Sequence, residues 1–396
     1  MGKKTKAFLV LFFILFWVMV GFGIIIPILP FVVTHFGGGP TILGLFMASF
    51  SLMQFFFAPL WGRLSDRIGR RPVLLIGLSG YGITFILLGM ADHLWMLFAI
   101  RMLSGIISSA TLPTAMAYIV DITEGEERSK GLGLMGAAMG VGMVFGPALG
   151  GWLGHYGFAI PFYAAGALAI ITWPFAYFFL PESLKRSDRH RAEDAAKISF
   201  KVIKHPLFTL FMLNFITNFS MAIFQGTFAL YAADRAGFGP KEMGTLFTIM
   251  GIISVIIQGG MIGRLVKLFG DANLIKAGLF ISGVGMALIV LSSHMLTLMI
   301  SAAIFNIGGS LMGPSTSTLV SKNALGAQGA SIGLMQSFGS LGRILGPVMG
   351  GILYGIQMNI PYITGASILL LIAILSLQMI DKYDIACNHK KKPSQE

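Results

Sequence analysis

The sequence predicts an all-α membrane protein with twelve transmembrane helices in two pseudo-symmetric six-helix bundles, and three observations predict it. Hydrophobic residues fill 55% and charged residues 11% of the 396 positions, with a mean hydropathy of +0.81. That leaves too little polar surface to coat a soluble globule of this size. Apolar runs of about 20 residues, the length that crosses the hydrocarbon core, are centred near residues 20, 51, 82, 107, 142, 170, 220, 252, 283, 309, 341 and 371. The block Gly142-Met-Val-Phe-Gly146-Pro147-Ala-Leu-Gly150-Gly151 returns 200 residues later as Gly342-Arg-Ile-Leu-Gly346-Pro347-Val-Met-Gly350-Gly351. The register holds upstream at Gly133-Leu134-Met135 and Gly333-Leu334-Met335, and downstream at Ile160-Pro161 and Ile360-Pro361.

Taken in order, residues 1–180 form the first bundle. Their basic start, Met1-Gly-Lys-Lys-Thr-Lys6, precedes an apolar run too long for a signal peptide and without a small-residue cleavage site, so it reads as an uncleaved first span. Residues 181–206, the one long charged stretch between spans, are a linker on the cytoplasmic side. Residues 207–382 form the second bundle and 383–396 a cytoplasmic tail. With both termini and the linker on the cytoplasmic side, 24 of the 28 Lys and Arg fall there, Arg235 and Lys241 fall opposite, and Arg101 and Arg343 fall within spans. This asymmetry orients the chain in its membrane with both termini on the cytoplasmic side. The formal charge of +12 therefore follows the membrane and forms no soluble nucleic-acid surface. One cysteine, Cys387, allows no disulfide framework or cysteine metal site within a monomer, and no metal or cofactor is expected.

The loop after span 2 reads Gly62-Arg-Leu-Ser-Asp66-Arg67-Ile-Gly69-Arg70-Arg71-Pro72. Its glycines allow a tight turn, and Asp66 suits the positive N-terminal end of a helix. A worn copy, Gly263-Arg-Leu-Val-Lys267-Leu-Phe-Gly270, carries lysine where the first has Asp66. With Gly21-Phe-Gly-Ile-Ile-Ile-Pro27-Ile-Leu-Pro30 ending span 1, Arg101 and Gly105 in span 4, and the glycine-proline block of span 5, the chain resembles the major facilitator superfamily. The branch it resembles is that of the twelve-helix drug:proton antiporters. The resemblance implies bundles around a central cavity, alternating access powered by protons, and an antiporter motif at Gly142, Gly146, Pro147, Gly150 and Gly151. It also implies a cytoplasmic latch made by Gly62, Asp66, Arg67, Gly69, Arg70, Arg71 and Asp121.

The same branch carries acids in spans 7 and 10. Here Gln225 precedes Leu230-Tyr231-Ala232-Ala233-Asp234, and Ser310 precedes Pro314. Glutamine carries no proton at accessible pH, which leaves three readings open. Coupling is carried at helix ends by Asp121, Asp66 or Asp234 with Arg101 as partner; or the substrate gradient or membrane potential drives transport alone; or Arg101 and Arg343 bind an anionic substrate. An unpaired mid-membrane arginine costs at least about 2.5 to 3.5 kcal/mol, so both are expected at a wet cavity or against carbonyls. The substrate cavity is expected to be lined by Arg101, Asn214, Asn218, Gln225, Asn306, Gln336 and Arg343. Spacings of four and seven put Asn214, Asn218 and Gln225 on roughly one helix face. Gln54 and Gln258 complete the intramembrane amides, which otherwise read as glue between helices. His35, His93, His155 and His294 read as solvated loop side chains.

The function expected is secondary active export of hydrophobic or amphiphilic small molecules by proton antiport, as a monomer in the lipid bilayer. A second reading is a flippase or exporter of an anionic lipid, glycolipid or metabolite. An enzyme is not expected, because no histidine or acid lies beside the hydroxyls of the spans.

Overall fold

The computed structural model describes residues 3–184, 207–323 and 328–380. The expected linker beyond Leu184 and the expected tail, with Cys387, lie outside the described residues. Every regular element among them is a helix: α1 Lys3–Ile25, α2 Leu29–His35, α3 Pro40–Ile68, α4 Arg70–Gly89, α5 Leu94–Ser108, α6 Thr111–Ile122, α7 Gly125–Gly154, α8 Ala159–Phe179, α9 Phe208–Ala236, α10 Pro240–Val255, α11 Ile262–Leu291, α12 Met295–Lys322, α13 Gln328–Ile356 and α14 Ile360–Met379.

Among the described residues, ten stretches are long and apolar enough to cross a bilayer. One of them, Pro240–Leu291, is 52 residues long and turns at Gly270, where φ is 79° and ψ 158°. It therefore makes two crossings. The 29-residue α13 is diluted by glycine, yet it repeats the sequence of α7 and completes the twelve. Span 1 breaks between α1 and α2 around Pro27, and span 4 breaks between α5 and α6 at Ser109 and Ala110. Proline cannot donate to the helix ladder. At the second break Ile106 O is released instead, and it accepts from the Trp61 indole at 2.6 Å and the Ser109 hydroxyl at 2.7 Å.

The chain divides into two compact units: one takes Met1–Gly39, Ser49–Ala195 and Phe238–Gly251, the other Pro40–Ala48, Ala196–Gly237 and Ile252–Glu396. Each unit thus holds the first turns of one helix whose remainder belongs to the other. In unit 1, α1 packs on α7 and α8, and α4 on α5 and α8; in unit 2, α9 packs on α13 and α12, and α11 on α12 and α14.

The repeated glycines make these contacts possible. A Cβ on Gly142 would lie 2.7 Å from Phe16 O and one on Gly146 2.6 Å from Val20 O. In unit 2 a Cβ on Gly342 or Gly346 would meet Phe215 O or Phe219 O at 2.6 Å. Each seam is therefore backbone against backbone, the arrangement small residues permit in membranes. Gly151 packs in the same way on the start of α10, and Gly351 on the start of α3 at Pro40.

Candidate substrate site

Unit 2 holds a partly open cavity of about 300 Å³ between α9, α10, α11, α12 and α14. Asn214, Asn218 and Asn306, expected as substrate contacts, line it together with Thr217, Ser220, Ser254, Gln258, Ser282 and Ser310. None of its lining residues carries a charge. Gln225 is half-buried on α9 and Gln336 is exposed on α13, and neither is among the lining residues. Arg343 stands beside the cavity: its Nη1 donates to Asn218 Oδ1 and its Nη2 to Ser340 Oγ, both at 2.8 Å. Asn218 Nδ2 donates to Asn214 O at 2.8 Å, and Asn214 Nδ2 to Met335 O at 2.7 Å. The arginine is thus bound into a chain of amides joining α13 to α9.

Sequence reasoning undervalued the serines, because a serine in a membrane helix reads as a small packing residue. Ser310, where the branch often has an acid, is 2.9 Å from Ser254 Oγ, which also accepts from Asn306 Nδ2 at 3.0 Å. Gln258 sits on a π-helical turn, Ile256–Met261, between α10 and α11. The adjacent Gly259-Gly260 was the one local signal for that turn.

In unit 1, Arg101 is 3% exposed with its guanidinium 4.2 Å from the centre of the Phe50 ring. Toward the C-terminal end of the same span come Ser104, Ser108, Thr111 and Thr114, all buried, with hydroxyls that have no hydrogen-bond partner among the described residues.

The loop after α3 forms an ionic knot within unit 1. Arg70 meets Asp66 at 2.5 Å and Asp121 at 3.0 Å, and donates to Ser65 Oγ at 2.7 Å. Glu182, which sequence reasoning passed over, accepts from the backbone N–H of Arg70 at 2.8 Å and of Arg71 at 3.2 Å. It is this carboxylate that meets the N-terminal end of α4, where the helix dipole favours an anion. Gly69 (φ 111°) makes the approach possible, since a Cβ there would run into Glu182. Ser183 Oγ donates to Asp121 at 2.9 Å, Arg71 lies over the Tyr177 ring and donates to Tyr177 O, Gly62 O accepts from Ser65 Oγ, and Arg67 is exposed.

At the opposite end of unit 2, Asp234 accepts from Tyr354 Oη at 2.9 Å. Each of the four loop histidines has its own neighbour: His35 rests on Phe158, His93 bonds Asp92, His155 meets Tyr156, and His294 caps α12.

A family model described as Major Facilitator Superfamily matches residues 11–347 and 210–383. The chain belongs to the major facilitator superfamily. It is 31% identical over 391 residues to Multidrug resistance protein 2 of Bacillus subtilis (strain 168), covering 96% of each chain. To Multidrug resistance protein 1 of the same organism it is 32% identical over 364 residues, covering 91% of this chain and 93% of that one. Among solved structures, the nucleoside transporter NupG aligns at 14% identity with a TM-score of 0.79, over 94% of this chain and 99% of that one. That likeness shows the fold alone. As a member of this superfamily the chain is a multi-pass membrane protein acting on small molecules.

Proposed function

We propose that the protein is a multidrug exporter of hydrophobic and amphiphilic compounds, working by alternating access and proton antiport. The observation that carries this reading is a partly open cavity, mostly apolar with polar side chains in its wall, in a chain that matches over more than nine-tenths of its length proteins named for multidrug resistance. The duplicated glycine seams support it, because close-packed, bent helices suit an exporter whose bundles rock. The distribution of Lys and Arg supports cytoplasmic termini, the bacterial relatives support a bacterial inner-membrane location, and the protein is read as a monomer. The cytoplasmic latch is assigned to the Gly62–Arg71 loop and Asp121.

With no charged group lining the cavity, the proton is assigned to a helix end, at Asp121, Asp66 or Asp234, with Arg101 as partner. One proton crossing 100 mV releases about 2.3 kcal/mol, enough for roughly a fiftyfold substrate gradient. Transport into proteoliposomes, first with a pH gradient and then with a potential alone, tests the assignment. Acceleration by the pH gradient is expected, and indifference to it would sink proton antiport. Gln225→Glu is expected to add a further pH dependence. A second reading, export or flipping of an anionic lipid or metabolite, is favoured by Arg343 at the edge of the cavity.

A further inference from the structure

We infer that the unit 2 cavity is a recognition site for the uncharged, hydrogen-bonding part of a transported molecule, such as a hydroxyl, carbonyl or amide, and that it selects against permanent cations. The inference rests on the export reading and names its substrate class.

The cavity is built to offer hydrogen bonds without charge. Ser220 is 1% exposed, lines the cavity, and its hydroxyl has no hydrogen-bond partner among the described residues. A buried hydroxyl without a partner carries a cost that a hydrogen-bonding group seated in the cavity would relieve. Opposite, Ser254 bridges Ser310 of α12 and the amide of Asn306, which fixes the orientation of both side chains before any ligand arrives.

Gln258 joins this wall through the π-helical turn. Such turns widen the helix by one residue and recur at functional sites because they re-aim a side chain at a cost in backbone geometry. Gly259 and Gly260 face open space, with nothing near the position a Cβ would take. Packing therefore does not require them.

Charge decides the substrate class. A quaternary ammonium group entering this cavity would leave water without meeting a carboxylate, which is strongly unfavourable in a medium of low polarity. It would also feel the Arg343 guanidinium behind Asn218. An anion fares no better, because Arg343 is not itself among the lining residues and two of its donors are already committed to Asn218 and Ser340. A neutral polar group finds donors and acceptors on three helices. The volume of about 300 Å³ lies at the small end of the usual range for ligand sites, so the site holds part of a larger substrate or the whole of a small one.

Three dansyl amides that differ only in the end of a propyl chain, hydroxyl, trimethylammonium or sulfonate, test the inference by fluorescence binding to the full-length protein in nanodiscs. The hydroxyl compound is expected to bind about tenfold tighter than the trimethylammonium compound. Gln258→Leu and Ser254→Ala are each expected to weaken the hydroxyl compound about three- to tenfold and leave the trimethylammonium compound unchanged. Asn306→Asp, nearly isosteric, is expected to reverse the preference between the two. Should Gln258→Leu fail to fold, Ser310→Ala probes the same wall. The inference is overturned if the trimethylammonium or the sulfonate compound binds tightest, or if the variants weaken all three alike. Efflux of all three at equal rates would leave the export reading standing and remove this site; a preserved hydroxyl preference with no response to a pH gradient would do the reverse for proton antiport.

Discussion

Span 4 and span 10 occupy the same place in their respective repeats, 201 residues apart, and carry opposite interiors. In span 4 the sequence runs Arg101, Ser104, Ser108, Thr111; the matching positions of span 10 are Ala302, Phe305, Gly309 and Met312. The first helix is broken at Ser109–Ala110 and lined with unpartnered hydroxyls. The second is continuous and offers Asn306 and Ser310 to a cavity. Their C-terminal ends are both closed by an ion pair, yet of opposite polarity: Asp121 holds Arg70, whereas Lys322 holds Asp271 at 2.7 Å. Gly69 and Gly270, both at positive φ, precede the partner in each case. The frame needs a charge pair at that corner and is indifferent to which helix supplies the acid. What the helix between corners carries is free to diverge.

The largest effect expected on this comparison comes from Arg70→Ala. It strands Asp66 and Asp121 around a side chain that is only 10% exposed, and breaking such a buried pair costs about 3 to 5 kcal/mol, read as a fall in thermal unfolding temperature of the purified protein. Asp271→Asn is expected to cost less, because Lys322 is 47% exposed and rehydrates. Equal losses would mean that the two corners are not graded by burial.

Gly146→Leu and Gly346→Leu follow, each destabilising by about 1 to 3 kcal/mol or more through overpacking. Gly133→Leu, at a position facing open space, is expected to be silent in the same assay. A large difference between the two seam variants would break the claim of a shared frame.

Smaller, and opposite in sign between the spans, are the hydroxyl replacements. Ser104→Ala and Thr114→Val remove unpartnered groups and are expected to leave stability unchanged or raise it. Ser310→Ala removes a bonded hydroxyl and is expected to lower stability by about 0.5 to 1.5 kcal/mol.

The smallest effect lies at the opposite ends of these spans. His93 donates from Nδ1 to Asp92 at 2.7 Å and holds that carboxyl below its ordinary range, while its counterpart His294 instead forms a capping box with Thr297. A carboxyl with a depressed folded pKa contributes above its unfolded pKa and loses the contribution as pH falls through the folded value. His93→Ala is expected to return the Asp92 titration, followed by carboxyl NMR, toward the ordinary range; an unmoved titration would show that the hydrogen bond is not its cause.

The fold was legible because hydropathy and an internal repeat are properties of the chain itself. Asn214 and Asn218 were legible as a pair, since four residues return to one helix face. Gln225 was not, because seven residues further along the helix is a different depth even on the same side. Glu182 was hidden for another reason: its role depends on the end of α8 meeting the start of α4, and no local pattern states that two helix ends converge. The cavity serines were obscured by their chemistry, a hydroxyl in a membrane helix being as suited to bonding its own backbone as to facing a ligand.

The π-helical turn has an arithmetic meaning. From Gly44 to Gly62 the first half counts 18 residues, and from Gly244 to Gly263 the second half counts 19. The offset between the repeats is 200 before this interval, 201 from Gly62/Gly263 through Pro113/Pro314, and 200 again by Gly133/Gly333, and the turn at Ile256–Met261 falls where it first changes. The second half has absorbed one additional residue here by letting a single turn swell. A one-residue deletion at Gly259 would restore equal lengths, return this stretch to the ordinary helical pitch, and rotate Gln258 relative to one flank by about 100°.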